Sequence, residues 1–434
     1  MPRAPRGACV YFPSEVPEPM LRREANMDLR QRLARLDQVG SLKTARPRRA
    51  FQSLETLLGG EEVEGERGHF LLCRRHFPRD HYHGKVRLDQ ALALSARWLS
   101  RLGRDLEEMD LPRVVFLDTE TTGLSGGTGT YAFLVGLAWF EPDGLCLEQL
   151  FMREYAEESA LLAYLADRLR GCGGLVTFNG KGFDIPLLAT RFLMKRQSFD
   201  LEALPHLDLL HPARRIWSLA LPDCRLETLE TRVLEAPRAG DIPGREIPEA
   251  YFRYLKTGDG REMARVAEHN QCDLLALIGL VSRLARTLQA PLEARRPEED
   301  LGLGRMLAGL GETEDAGRLL TRALEAPLPV GPRFRALLHL ADMCRRAGDR
   351  QGAQAFLEQI LDEDPAHVVA AEEMAKHLEH RVGDLPRALA LVDGVLERPD
   401  LTPARRAALE HRRQRLLRRL EGGRKVHPDF GRRP

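Results

Sequence analysis

Two acids one residue apart, Asp118 and Glu120, follow directly on the apolar run Val114-Val115-Phe116-Leu117. Four apolar residues, two of them β-branched, read as a buried strand. Strand side chains alternate between faces, so both carboxylates emerge on the same side. Like charges placed together repel unless a cation lies between them; the plainer reading is a polar strand end entering a turn at Gly123. A third acid, Asp184, stands between a short apolar strand, Leu175 to Phe178, and a helical stretch, Leu187 to Met194. Alone it reads as a helix N-cap with Pro186 in the first turn. His269 and Asp273 are four apart on a long helix from Arg261 to about Thr287, in one column bordering the stripe of Met263, Val266, Ala267, Leu274, Leu277, Ile278, Val281 and Leu284. Alone, that pair is an ordinary surface contact.

The elements that must position these groups follow from local pattern. Tyr131 to Phe140 and Leu145 to Phe151 read as strands joined by a turn at Pro142-Asp143-Gly144, a meander with the opening strand. Ser159 to Arg170 reads as an amphipathic helix capped at Ser159 or a neighbour and ended by Gly171 to Gly174. Strands alternating with helices imply an α/β layer architecture. The glycines of Leu124 to Thr130 open a strand, not a helix, and lack the Gly-Lys-Ser/Thr of a phosphate-binding loop, so a flexible hairpin beside the carboxylates is expected. Upstream, residues 1–50 are expected to be mobile, with a short helical candidate from Asp28 to Leu36. Residues 51–110 form an extension with a short helix from Phe51 to Gly60, a strand from Gly68 to Phe77 and a helix from Leu88 to Leu102. His69, Cys73, His76, His81 and His83 fit no tetrahedral zinc spacing and are given no function.

Taken together, strand Asp118-x-Glu120, then Asn179 to Asp184 at a helix start, then His269-x-x-x-Asp273 on a late helix resembles the DEDD exonuclease superfamily, the DnaQ-like members of the ribonuclease-H-like fold. The resemblance spans residues 112 to about 290. Within it, His206 to Arg215, Asp241-Ile242-Pro243-Gly244 and His269-Asn270 look most like the YprB-type branch. The histidine class of this superfamily usually has its histidine five residues before the last Asp. Here the separation is 273 − 269 = 4, the spacing of the tyrosine class.

The resemblance implies a mixed sheet flanked by helices over residues 111–290, and a metal-dependent nuclease, a 3′-to-5′ exonuclease, acting on DNA or RNA that is single-stranded or has a free end. Hard oxygen ligands with no Cys and at most one His select Mg²⁺ or Mn²⁺. Asp118, Glu120, Asp184 and Asp273 would hold two such ions, one generating hydroxide and one steadying the leaving oxygen, and His269 would act as general base. Thr121 and the backbone around Thr122 would line the terminal nucleotide. Lys181, in a glycine-flanked turn, and Arg214 and Arg215 are candidates for phosphate contacts. Asp208 is a fifth carboxylate, for which a strand-end role is the better account. An unrelated α/β phosphatase or phosphodiesterase is disfavoured by the lack of a nucleophilic Ser or Cys elbow and of a histidine-rich metal set. The alternative from another class is a catalytically weak or inactive nucleic-acid-binding scaffold.

From Leu301 a repeat emerges: Gly311, Ala316 and Leu324 recur as Gly348, Ala353 and Leu361, then as Gly383, Ala388 and Leu396. The offsets are 348 − 311 = 37 and 383 − 348 = 35, and a proline follows each unit (Pro327, Pro365, Pro399). Period and residue types resemble degenerate tetratricopeptide repeats over residues 296–420, an all-α helical module that could recruit a protein partner. Residues 421–434 are expected to be a disordered basic tail.

The totals fit this organisation. A chain of 434 residues holds two or three domains, and 65 Lys+Arg against 64 Asp+Glu project no global field toward a polyanion. Seven lysines leave 65 − 7 = 58 arginines. The 7 cysteines are dispersed without a Cys-x-x-Cys pair, arguing against a disulfide framework. With no membrane-length apolar run and no signal-peptide core, the expected address is the cytoplasm.

Overall fold

The computed structural model describes residues 52–102, 106, 109–123, 128–293 and 295–424. The expected mobile start over residues 1–50, the glycine-rich residues 124–127 and residues 425–434 of the expected tail lie outside the described residues, whereas residues 421–424, expected to belong to that disordered tail, continue the last helix.

Seven strands form one sheet: β1 (Glu61–Gly65), β2 (Gly68–Pro78), β3 (Val114–Thr121), β4 (Ala132–Glu141), β5 (Gly144–Phe151), β6 (Gly174–Thr177) and β7 (His206–Asp208), in the order β1-β2-β5-β4-β3-β6-β7. The expected meander is present, with β4 antiparallel to both β3 and β5. β3 runs parallel to β6, and β6 parallel to β7. The carboxyl ends of these three strands therefore open on one edge, where a chain leaving a parallel strand can present side chains to a crevice.

The alternation of β3 divides the interior. Val114 and Phe116 join one core with Val176 and Leu207, while Val115 and Leu117 join the other with Leu175. The second core is covered by α1 (Glu158–Leu169) and α2 (Asp184–Met194), through Leu161, Leu165, Leu188 and Phe192. Further along, α3 (Leu210–Trp217) and α4 (Ile247–Thr257) precede the 29-residue α5 (Arg261–Gln289). Met263, Val266 and Ala267 of α5 pack in the second core, whereas Leu274 to Leu288 pack in the first. His269, Asn270 and Asp273 lie where the helix passes from one core to the other.

Two local expectations change and one narrows. Leu88 to Leu102 is not one helix: a 3₁₀ turn over Leu88–Ala93 ends at Leu94, whose backbone is extended, and Ala96–Leu102 starts again from Ser95, whose carbonyl accepts from Trp98 N and Leu99 N. The break lets Leu94 and Leu99 both reach the core. Ser159 sits inside α1, and of the two alternatives it is a neighbour, Glu157, that holds the cap position, its carboxylate accepting from Arg153 N and Arg153 Nε and not from the helix. Asp184 is not an N-cap; Phe183 holds that position, and Asp184 is the first helical residue.

The C-terminal third is helical throughout: α6 (Pro297–Gly309) with α7 (Thr313–Leu324), α8 (Val330–Ala347) with α9 (Arg350–Glu363), α10 (Val368–His377), continued by a π-turn, with α11 (Leu385–Leu396), and α12 (Pro403–Arg424). Gly311, Gly348 and Gly383 all turn the chain with left-handed backbones, φ +83°, +82° and +81°. The equivalence of the three units is thus carried by a conformation that favours glycine. Leu303, Met306, Leu307, Ala316 and Leu319 pack in the same core as Leu209, Ala213, Ile216 and Trp217. Among the described residues no helix is long and apolar enough to cross a membrane.

Candidate metal and nucleic-acid site

The site grows from a missing side chain. Asp118 on β3 is paired with Gly136 on β4, and Gly136 with Gln149 on β5. A Cβ on Gly136 would lie 2.2 Å from Asn270 Oδ1, so only glycine leaves room for the Asn270 amide against the sheet. That amide is held at both ends: Gln149 Nε2 donates to Asn270 Oδ1 at 2.9 Å, and Asn270 Nδ2 donates to Asp118 Oδ2 at 2.8 Å. One oxygen of Asp118 is thereby fixed. On the next strand position, Thr119 Oγ1 donates to Asp184 Oδ1 and fixes one oxygen of that carboxylate.

His269 and Asp273 approach from α5. His269 Nε2 lies 3.3 Å from Asp273 Oδ2 and 4.0 Å from Glu120 Oε1. Glu120, His269 and Asp273 offer donor atoms within 4.8 Å of one another, close enough to share an ion. The other imidazole nitrogen, Nδ1, faces Asp241 Oδ2 at 2.8 Å. Arg238 completes this side, donating from Nη2 to Asp273 Oδ1 at 2.5 Å, from Nη1 to Asp241 Oδ2 at 3.0 Å and from Nε to Glu230 Oε2 at 2.5 Å.

The electrostatics match the geometry. Burial, then the Asp273 and Asp184 carboxylates, push Asp118 well above the usual carboxylate range. Burial, then Asp118, Asp273, Asp184 and Asp241, do the same to Glu120. Asp184 is pushed up to about 6, by burial first, against the Thr119 hydrogen bond that favours its ionised form. Asp241 behaves oppositely. Burial works to raise it, but Arg238 and His269 together hold its carboxyl below the usual range. Glu120 and Asp184 are thus buried acids, and Asp118 a half-buried one, without cation enough to ionise comfortably, and hard oxygen donors in that condition fit a divalent ion.

The other expected groups divide. Asp208 accepts from the backbone N–H groups of Asn179, Lys181 and Leu210 at 2.8, 3.1 and 3.0 Å, so its oxygens serve to hold the loop before Asp184. Thr121 Oγ1 donates to Gly123 O, and Thr122 Oγ1 accepts from Tyr131 N, closing the turn after β3. Lys181 is exposed on the loop before α2, and Arg214 and Arg215 are exposed on α3, beyond β7. Of the N-terminal histidines, His69 faces Glu157, His83 faces Glu230, and His76 faces Glu141, where His76, Glu141 and Cys146 offer donor atoms within 4.8 Å of one another.

Residues 115–285 match the family model of the RNase_H superfamily, a stretch that runs from β3 to the end half of α5 and holds every residue of the cluster. This region is a ribonuclease-H-like domain. The chain is also 28% identical over 330 residues to the uncharacterized protein YprB of Bacillus subtilis (strain 168), covering 74% of this chain and 79% of that protein. It is 26% identical over 318 residues to cellulose synthase operon protein C of Pseudomonas fluorescens (strain SBW25), of which it spans 24%. A family B DNA polymerase from the archaeon Pyrobaculum calidifontis aligns with a TM-score of 0.31 at 17% identity, over 53% of this chain and 29% of the polymerase.

Asn270, Gly136, Thr119, Asp241 and Arg238 were given no part in the chemistry by sequence reasoning. Asp241 and Asn270 lie in the segments that carried the YprB-type resemblance, the one signal that could have found them. Arg238, in Pro237-Arg238-Ala239-Gly240, had none.

Proposed function

We propose that this protein is a metal-dependent nuclease that hydrolyses phosphodiester bonds, acting 3′-to-5′ on DNA or RNA with a single-stranded or free end. The observation that carries the reading is the meeting of Glu120, His269 and Asp273, whose donor atoms lie within 4.8 Å of one another, with Asp118 and Asp184 near enough that the Asp273 carboxylate helps to push both upward. These four would hold two Mg²⁺ or Mn²⁺ ions. When bound, the ions would activate a water and stabilise the leaving oxygen. Asp118 and Asp184 each keep one oxygen fixed by Asn270 or Thr119, which orients the other.

His269 serves as general base through Nε2, because Nδ1 is committed to the ionised Asp241. With Nδ1–H turned to the Asp241 carboxylate, and not accepting from Arg238 Nη1 at 3.3 Å, the Nε2 lone pair faces Glu120 and Asp273, where the attacking water would stand. The backbone of the Thr121-Thr122 turn lines the terminal nucleotide, while exposed Lys181, Arg214 and Arg215 meet backbone phosphates. The tetratricopeptide-like helices offer a surface for a protein partner, and a cytoplasmic address fits six described cysteines that are all unpaired.

The test uses labelled single-stranded and flapped DNA and RNA with Mn²⁺, comparing wild type with Asp118→Ala. Cleavage that survives in the variant removes the proposed site. The second reading, an inactive scaffold whose repeats recruit a partner, is favoured by one observation: Arg238 already occupies an oxygen of Asp273. Thermal unfolding with and without millimolar Mn²⁺ separates the two, since a working site raises the melting temperature by linkage.

A further inference from the structure

The contacts of Arg238 reach beyond support of a loop. Its side chain is 9% exposed and joins three carboxylates, of which Asp273 is a candidate ligand while Glu230 lies behind it. Glu230 is itself 1% exposed and held from the other side by His83 Nε2 at 2.7 Å. We infer that Arg238 is a resident cation of the carboxylate cluster that sets its affinity for divalent metal, by competing for Asp273 and by offsetting the negative charge that attracts the ion. This rests on the metal-dependent reading above.

Two features support it. Arg238 takes Oδ1 of Asp273, whereas Oδ2 faces His269, so this carboxylate keeps a single oxygen toward the cluster as long as the guanidinium stays. A cavity of about 460 Å³ adjoins the same loop, lined by His83, Glu230, Arg238, Asp241, Arg265 and Cys272 among others. The guanidinium therefore has room to leave Asp273 while remaining on Glu230. An arginine stays charged at any accessible pH. A unit charge about 5 Å from a divalent ion alters its affinity roughly tenfold even at the dielectric constant of water.

The experiment titrates Mn²⁺ into full-length wild type, Arg238→Gln and Arg238→Lys, reading free aquo-Mn²⁺ by electron paramagnetic resonance alongside apo melting temperatures. Arg238→Gln should bind Mn²⁺ roughly tenfold more tightly although its metal-free form melts lower. Arg238→Lys keeps the charge but loses the fork, and should stay within about threefold of wild type. Equal or weaker binding by Arg238→Gln overturns the inference, because a purely structural arginine would loosen the site. So does a tenfold change in Arg238→Lys, which decides the matter alone if the glutamine variant fails to fold. Wild type that binds no Mn²⁺ withdraws the metal reading and this inference with it, a result distinct from binding that ignores Arg238.

Discussion

Asn270 Nδ2 donates to Asp118 Oδ2 at 2.8 Å, so a helix residue sets the orientation of the first acid on β3. Asn270→Ala would leave Gln149 Nε2 with only its bond to the Ala267 carbonyl and free the Asp118 carboxylate. The expected loss is about 1–3 kcal/mol of stability, with a larger fall in Mn²⁺-dependent cleavage than Gln149→Ala causes. Denaturant unfolding and cleavage rates measured on both variants check this; equal activity losses would reject an orienting role for Asn270.

Gly136→Ala places a methyl group 2.2 Å from Asn270 Oδ1. The Asn270 amide, the helix or the strand must shift, at a cost of about 1–3 kcal/mol. A lowered denaturation midpoint with unchanged slope is expected, together with reduced cleavage. A variant as stable and active as wild type would show that α5 docks otherwise.

The metal-free protein should weaken as pH rises through the window set by Asp184. Its folded pKa of about 6 lies above the ordinary 3.8, so between these values the folded state holds the proton that the unfolded chain has lost. The effect is on the order of 3 kcal/mol. In EDTA, the stability difference between Asp184→Asn and wild type should grow in favour of the variant from pH 4 to pH 6, and Mn²⁺ should reduce it. A difference flat with pH would contradict the burial of this acid.

Glu379 tests the C-terminal helices. Its buried carboxylate accepts from Arg412 Nη1 at 2.7 Å and from Arg415 Nε and Nη2, each at 2.7 Å, fastening α12 to the turn after α10. Glu379→Ala is expected to cost about 1–3 kcal/mol locally and to make α12 cleave faster in limited proteolysis than it does in wild type. Unchanged protection of α12 would count against the fastening.

Much of this candidate site was legible in the sequence because strand and helix periods are strict. Alternation put Asp118 and Glu120 on one face, and the four-residue step put His269 with Asp273. What was not legible depends on tertiary approach. Gly136 looks like any strand glycine until Asn270 fills its missing side chain. Asp184 has the composition of a cap, yet the Thr119 hydroxyl across the sheet claims its oxygen. Arg238 reaches Asp273 from a loop whose course no periodicity dictates, and Leu94 breaks a helical pattern because an extended residue there serves the core better.

The shared core beneath α3 and α6 bears on how such proteins can diversify. Leu303, Met306 and Leu307 are sealed against Leu209, Ala213, Ile216 and Trp217. The helical repeats therefore cannot be traded between relatives like beads on a string. A lineage that exchanges them must rewrite α3 at the same time, so α3 and α6 should change in concert while the outer repeats, α8 to α12, drift more freely.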